Sequence, residues 1–533
     1  MSDDFPFEFA EPGHADLTWE WDDMHMPFAL APLAADYVRA IAHGLNEPYV
    51  RLGFPQRSHI AVWNAYAYFA YEPNVSDEER PAARERFTEA CRLRAEATAR
   101  FWAEEAIPEL LGLYATIDGI AVDDLSSAEL AAGWAASWAA LLRAWEIHFF
   151  SILGPYQVVE DLADSYEAAV PGRPVGEALR LIQGFSPDLF DVALRMDELA
   201  ADAARRPAIA AWLPSGVSPT REALAGLHGG AEFLALVDAF LARHGHLGQA
   251  FDDLAQPSFA EEPSLLLAEI AKRLERTPIG AAARRTALYE EADRLAERAR
   301  VALAERPEEL ARFEHLLALG REIGHLTEGH NYWIDRMAQA KMRTLALRIG
   351  RRLVREGSLE EPADVLYLGL DEVAAAVLEP ADRRPLITAR KRDLEHWRSV
   401  RPPRVIGKPR DEGPVDRFEG ERLESIEPGV LRGTGASAGI VRGPARVALS
   451  TSDFRRIQPG DIIVCPSSNP SWVPVFTIAA GLVTNTGGVL SHAAVVAREF
   501  GLPAVVGVVD ATSQIGDGRT VEIDGTLGTV RLL

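Results

Sequence analysis

Beyond about residue 421 the texture of this chain changes, and that change limits the fold more than any other feature. From about residue 30 to 400 the sequence reads as helices with short breaks. Past the change, β-branched runs such as DIIVCP, GLVTN and TVEID alternate with short helical patterns, the texture of an α/β module. Between the two lies RPPRVIGKPRDEGPVDRFEGE (401–421), rich in Pro, Gly and charge and without periodicity, which reads as a linker or extended hinge. The expected organisation is therefore multidomain: a large, mostly α-helical domain at 1–400, a linker at 401–425 and a C-terminal α/β domain at 426–533. A chain of 533 residues is in any case too long for one ordinary core.

Local signals place several helix boundaries. Ser76-x-x-Glu79 and Ser126-x-x-Glu129 have the form of capping boxes, opening helices toward Phe101 and Phe150. Pro307 suits a first helical turn, and a helical pattern runs from it toward Glu356, with Gly320, Gly324 and Gly329 as interruptions. DVLYLGLDEVAAAVL, after Gly357, reads as a short extended piece followed by a helix.

Composition narrows the function classes. The chain is 48% hydrophobic and 25% charged, as soluble globular proteins are. Its net charge of −24 argues against a nucleic-acid or anionic-membrane partner. Cys91 and Cys465 are far apart and show no metal-ligand spacing, so neither a disulfide framework nor a resident metal is expected, and the compartment is expected to be a reducing cytoplasm. The acidic start MSDDFPFEFAEP lacks the pattern of a signal peptide, and no apolar run has membrane-spanning length.

The segment TNTGGVLSHAAVVAREFGLPAV (484–505) carries the chemistry. Gly487 and Gly488 lack Cβ atoms, so the backbone there can take unusual angles and approach a ligand closely. Ser491 is a natural N-cap, and the residues after it favour a helix, which puts His492 in the first turn beside unsatisfied N–H groups. An imidazole next to an anion cradle suggests a histidine that accepts a phosphoryl group and passes it on. The plain alternative is a histidine that caps or packs.

The surroundings decide between the two. GTGASAGIVRGPARV (433–447), the run from 460 to 508 and GDGRTVEIDGTLGTVRL (516–532) together resemble the phosphohistidine swivelling domain of the phosphoenolpyruvate-utilising enzymes, over about a fifth of the chain. That family includes phosphoenolpyruvate synthase, pyruvate phosphate dikinase, rifampin phosphotransferase and phenylphosphate synthase. The resemblance implies that His492 is the phosphorylated histidine and that Thr486, Gly487, Gly488, Ser491 and Arg498 are its phosphoryl-binding neighbours. Asn485 stands where the family more often has an acidic residue.

In that family the histidine is charged from ATP in an ATP-grasp domain or from phosphoenolpyruvate in a barrel. Only about 40 residues follow His492, too few for a barrel of roughly 250 residues. The helical region lacks the strand- and Gly-rich texture of a nucleotide cradle. The expectation is a separate ATP-grasp subunit that binds ATP and Mg²⁺, as in phenylphosphate synthase, and a covalent phosphohistidine on this chain. By the same analogy the acceptor is expected to be a small aromatic hydroxyl compound, with a rifampin-type antibiotic or a non-enzymatic carrier role as alternatives.

The helical region would then bind the acceptor, and parts of it also resemble the family. RMAQAKMRTLALRIGRRLVREGSLEEPADVLYLGLDEV (336–373), FLARHGHLGQAFDDLAQPSFAEEP (240–263) and WEWDDMHMPFALAPL (19–33) are similar to segments of rifampin phosphotransferase and its relatives, although Leu247 stands where those have an arginine and Ser258-Phe259 where they have Arg-Trp. Transfer to a hydroxyl needs a proton acceptor and cations around the phosphoryl oxygens. His25, steadied by neighbouring Asp23, and His244 and His246 are candidate bases or substrate-binding groups, each with a packing or surface role as the alternative. GHNYWIDRMAQAK (329–341) offers His330, Tyr332, Arg336 and Lys341 on or near one helix, for which a solvated face is the plain reading. Trp134, Trp138 and Trp145 recur at helical spacing with His148 beyond them, and with Trp19, Trp21 and Trp63 they read as core or, less simply, as the wall of a flat pocket.

Overall fold

A computed structural model describes residues 5–23, 25–172, 176–215, 220–248, 254–274, 280–409, 427–449, 451–468, 472–476, 478–489 and 491–533. The protein is mostly helical (59%). It divides into two compact units, each discontinuous in sequence: 1–157, 252–256 and 330–413 form the first, and 158–251, 257–329 and 414–533 the second. The region expected to be one helical domain is thus shared between the two units. In the second, residues 158–251 and 257–329 join the C-terminal α/β module.

The first unit contains a sheet where helix was expected. Strands β1 (Thr18–Trp21), β2 (Gln56–Trp63), β3 (Tyr66–Pro73) and β4 (Val405–Gly407) form an antiparallel sheet in the order β2-β3-β1-β4. Strands β2 and β3 are a hairpin closed at Trp63↔Tyr66, and its two turn residues, Asn64 and Ala65, have φ of 50° and 69°. Positive φ at both central positions is the turn that matches strand twist, and asparagine takes it readily. RSHIAVW and YAYFAY are rich in branched and aromatic side chains, which favour a pleated surface over a helix. The expected linker begins inside this sheet. Trp19 pairs with Ile406, and Tyr68 Oη donates to the Pro403 carbonyl at 2.7 Å. Residues 410–425 of that linker lie outside the described residues.

The tryptophans offered as pocket walls are packing residues here. Trp19 is 1% exposed and its ring centroid is 5.0 Å from that of Trp63, which also meets Tyr68 at 5.4 Å. Trp134 and Trp145, on the helix Ser127–Ala169, are buried, and Trp138 is half-buried. A Cβ on Gly44, in the helix Pro32–Arg51, would lie 2.4 Å from Trp145 Cβ, so these two helices touch only because Gly44 has none.

The Ser126 box opens its helix, whereas Ser76 and Glu79 bond to each other in the turn before theirs, whose N-cap is Glu79 with no side-chain cap. Ser76 Oγ lies 2.9 Å from Glu79 Oε2 ahead of the helix Arg80–Phe101, and the Ser126 N–H donates to Glu129 at 2.9 Å ahead of Ser127–Ala169. The pattern after Pro307 resolves into three helices, Pro307–Ile323, Leu326–Trp333 and Asp335–Arg355, with breaks at Gly324 and Ile334. Gly320 does not interrupt; it lets the first of these helices approach Leu162 and Ile182. The piece expected to be extended after Gly357 is a 3₁₀ turn, Pro362–Tyr367. Asp364 draws it tight by accepting from the N–H groups of Glu360 and Glu361, both at 3.1 Å.

The second unit holds the expected α/β module. Strands β5 (Val430–Arg432), β6 (Thr434–Ser437), β7 (Ile440–Val447), β8 (Ile462–Cys465), β9 (Gly481–Thr484), β10 (Ala504–Val506), β11 (Thr520–Asp524) and β12 (Thr529–Leu532) form one sheet, ordered β5-β12-β11-β7-β8-β9-β10-β6. The run β7-β8-β9-β10 is parallel, and every residue of β8, β9 and β10 is buried, as strands covered on both faces must be. Side chains alternate between two cores. Ile463, Cys465, Leu482, Ala504 and Val506 join Phe454, Phe476 and Phe500 on one face, while Val464, Val483 and Val505 join Ile515, Val521 and Ile523 on the other. Ala193, from the helix Pro187–Ala204, enters the first of these cores, so the module is seated on the helices of its own unit. Among the described residues, no helix is long and apolar enough to cross a membrane.

Candidate functional site

The chain leaves the carboxyl end of parallel strand β9, passes through the loop 485–491 and starts the helix His492–Glu499 before returning as β10. Loops at the carboxyl ends of parallel strands are where α/β sheets bind ligands. Gly487 has φ +109°, and a Cβ there would lie 2.7 Å from Ser491 Oγ. Ser491 is the N-cap by position, but its hydroxyl donates back to the Gly488 carbonyl at 2.8 Å and closes the loop on itself. Thr486 donates through its N–H and Oγ1 to the Pro466 carbonyl, at 3.1 and 3.3 Å. Asn485 exchanges two 2.9 Å hydrogen bonds with Thr512. A neutral amide suits that exchange, because it must both donate and accept.

His492 meets a partner that the sequence did not reveal. Its Nδ1 lies 2.5 Å from Oε2 of Glu328, on the helix Leu326–Trp333, and both side chains are about nine-tenths buried. Both residues belong to the second unit. A carboxylate only accepts, so Nδ1 is the donating nitrogen, and in a neutral ring that leaves the lone pair on Nε2. Nε2 is itself buried and has no hydrogen-bond partner among the described residues. A buried ring nitrogen left this way costs about 1–3 kcal/mol, the kind of cost tolerated where an atom has work to do.

Arg498, expected to bind phosphoryl oxygens, is buried and donates to the Ala436 carbonyl at 3.1 Å. Burial lowers its guanidinium to about 10, against the attraction of Glu499 and Glu328, so it stays charged at neutral pH. Glu328 is therefore shared between the His492 ring and the field of Arg498. Glu499 accepts from the Gly184 N–H at 3.0 Å, and burial pushes its carboxyl up to about 7 from an ordinary 4.5.

Between those two values the folded chain holds more protons at Glu499 than the unfolded chain does. Its stability accordingly falls as pH rises through the window from 4.5 to about 7. Glu499→Gln keeps an acceptor for Gly184 and removes this slope. Urea unfolding at pH 5 and pH 7.5 should show the wild type losing of the order of 2 kcal/mol more than the variant over that interval. Equal losses would remove Glu499 from the pH dependence.

The remaining candidates divide between the units: His244 and His246 belong to the second, and His25, His330, Tyr332, Arg336 and Lys341 to the first. His25 is exposed, and its Nδ1 and backbone N–H both engage Asp22 Oδ1 at 3.0 Å. Asp22 is thus a carboxylate partner of the ring, reached by an i, i+3 turn. His244 is buried against Asp191, with Nε2 3.3 Å from Oδ2, and burial lowers its ring to about 4. Half-buried His246 follows, and the chain there pairs Gly248 with Ser258 while the Phe259 N–H donates to the Leu247 carbonyl at 2.6 Å, so the two halves of the 240–263 segment do meet. His330 and Tyr332 sit on Leu326–Trp333, and Arg336 and Lys341 on the next helix, not on one. Arg336 is buried, and Lys341 forms an ion pair with Asp118. His330 faces His148 and Asp335, all three of them buried. Asp335 and Glu328 escaped sequence reasoning because a single acidic residue on a helix carries no spacing signal.

Residues 457–528, which contain His492, match the family described as PEP-utilising enzyme, mobile domain. The chain carries the mobile domain of the phosphoenolpyruvate-utilising enzymes. Residues 131–328 match the rifampicin phosphotransferase fourth domain, and their last residue is Glu328, the partner of His492. Chondramide synthase cmdD of Chondromyces crocatus is 29% identical over 99% of this chain and 14% of its own length. A rifampicin phosphotransferase of Streptomyces sp is 36% identical over 57% of this chain and 35% of its own length. The uncharacterized phosphotransferase YvkC of Bacillus subtilis (strain 168) is 28% identical over 57% of this chain and 37% of its own. The chain thus spans little more than a third of these curated relatives at most.

Proposed function

We propose that this chain carries a phosphoryl group on His492 Nε2 within an ATP-dependent, dikinase-type phosphotransferase and delivers it to the hydroxyl of a small aromatic acceptor. The contact of Nδ1 with Glu328 carries the reading, because it fixes the ring hydrogen and leaves Nε2 as the nucleophile. ATP and Mg²⁺ belong, in this reading, to a separate ATP-grasp subunit. Nε2 attacks the β-phosphorus, an N–P bond forms, and AMP departs with the electron pair of the broken P–O bond. Water then removes the terminal phosphate. The ring now carries phosphorus on Nε2 and hydrogen on Nδ1, and the Glu328 carboxylate offsets its positive charge. In the second half-reaction the acceptor oxygen attacks phosphorus, the N–P electrons return to Nε2, and the hydroxyl proton passes to a base. His25, His244, His246 and His330 are the base candidates, and Arg336 and Lys341 the candidates for holding phosphoryl oxygens.

A second acceptor class, a rifamycin-type antibiotic, is supported by the match of residues 131–328. Leu247, where the rifampin enzymes have an arginine, weighs toward a different acceptor. Incubating the full chain with an ATP-grasp subunit of the phenylphosphate synthase type, β-labelled ATP, and either phenols or rifampicin separates the two. Label moving from protein to a phenol is expected. Label that reaches rifampicin alone favours the second class, and label that stays on protein with every acceptor sinks transfer and leaves a carrier.

A further inference from the structure

In the first unit, three buried side chains converge that the phosphoryl relay does not use as a set. His148 lies on Ser127–Ala169, His330 on Leu326–Trp333, and Asp335 opens Asp335–Arg355. They are 6%, 4% and 3% exposed, and one ligand-type atom from each lies within 4.8 Å of the others.

Asp335 sits between two imidazoles, with Oδ1 3.5 Å from His148 Nε2 and Oδ2 3.9 Å from His330 Nε2, while the two ring centroids are 4.3 Å apart. Both carboxylate distances exceed the usual N–H···O range of about 2.7–3.2 Å. The three groups are close enough for one cation to draw a ligand atom from each. Two ligand atoms bonded at 2.0–2.1 Å around a tetrahedral centre stand about 3.3 Å apart.

We propose that His148, His330 and Asp335 form a binding site for one divalent transition-metal cation of the Zn²⁺ class. Two imidazole nitrogens and one carboxylate oxygen suit such ions, whereas Mg²⁺ and Ca²⁺ prefer oxygen ligands throughout. Three protein ligands leave a fourth position for an oxygen donor. The site stands whether or not His492 carries phosphorus.

The test uses the full chain, stripped with a chelator and titrated with Co²⁺ as the visible probe, then with Zn²⁺ and Mg²⁺ as competitors. One Co²⁺ per chain should bind with visible ligand-field bands, be displaced by Zn²⁺ and resist Mg²⁺. His148→Ala and Asp335→Asn should each weaken binding by about 100-fold or more, with the far-ultraviolet circular dichroism of the wild type. Elemental analysis of the wild type, which needs no variant, should find a stoichiometric transition metal after purification in medium supplemented with zinc. His492→Ala should bind Co²⁺ as the wild type does. Absence of saturable Co²⁺ binding, equal affinity in the folded His148→Ala variant, or displacement by Mg²⁺ as readily as by Zn²⁺ overturns the assignment.

Discussion

On the proposed relay, His492→Ala should take up no label from an ATP-loaded ATP-grasp partner and should yield no phosphorylated acceptor. Loss of the nucleophile from a covalent relay costs of the order of 10⁴–10⁶ in rate, because the remaining groups position substrates but cannot hold the phosphorus between two half-reactions. The substitution is mild for the fold. Alanine is the best helix former, Ser491 still stands at the N-cap position, and the helix His492–Glu499 remains seated through Ala494, Val496 and Ala497. The expected stability cost is about 1–3 kcal/mol, set by a buried Glu328 that has lost a hydrogen-bond partner. Denaturant unfolding therefore distinguishes a folded, inactive protein from an unfolded one. The label on the wild type should be lost in acid and retained in alkali, as a phosphorus–nitrogen bond requires. Turnover by the folded His492→Ala variant at a rate near that of wild type would remove the histidine from the mechanism.

What could be read from the sequence follows a physical division between local and distant determinants. The start of the helix at His492, the two Ser-x-x-Glu boxes and the buried strands β8 to β10 are each set by residues within one or two turns of each other, so their pattern is visible along the chain. The hairpin 56–73 was equally local. Its alternation and its Asn64 turn were there to read, but they sit inside a long alanine-rich helical context that masked them. The pairing of β1 with β4 was not local, since it joins residues nearly 400 positions apart. The same holds for the site. The Gly-Gly-x-x-Ser-His pattern marks the imidazole, but Glu328 reaches it across 164 residues, and His148, His330 and Asp335 meet only through folding. Side chains of this kind have no spacing signature, because the fold rather than the helix period brings them together. Arg498 adds a contact of the same kind, since its guanidinium also ties the helix to β6 through the Ala436 carbonyl.

Glu328→Gln should slow phosphorylation of His492 by about 10²–10⁴-fold while leaving the fold intact. The amide oxygen can still accept from Nδ1–H, so the packing survives, but the charge that offsets a phosphorylated, cationic ring is gone. The amide can also turn its NH₂ toward Nδ1, which would move the ring hydrogen to Nε2 and remove the nucleophilic lone pair. Both effects act on the histidine rather than on acceptor binding, so the apparent KM for the acceptor should stay near that of wild type while kcat falls. A merely structural role predicts a different pattern: a lowered unfolding midpoint, with the phosphorylation rate of the folded fraction unchanged. Glu328→Asp restores the charge on a shorter arm and should recover part of the rate, whereas Glu328→Ala should recover none and should also leave buried Arg498 with less compensation. Single-turnover labelling of the three variants, with unfolding midpoints measured alongside, is the decisive comparison. If Glu328→Gln is phosphorylated as fast as the wild type, the carboxylate is a packing partner, and the choice of Nε2 as nucleophile must come from another group.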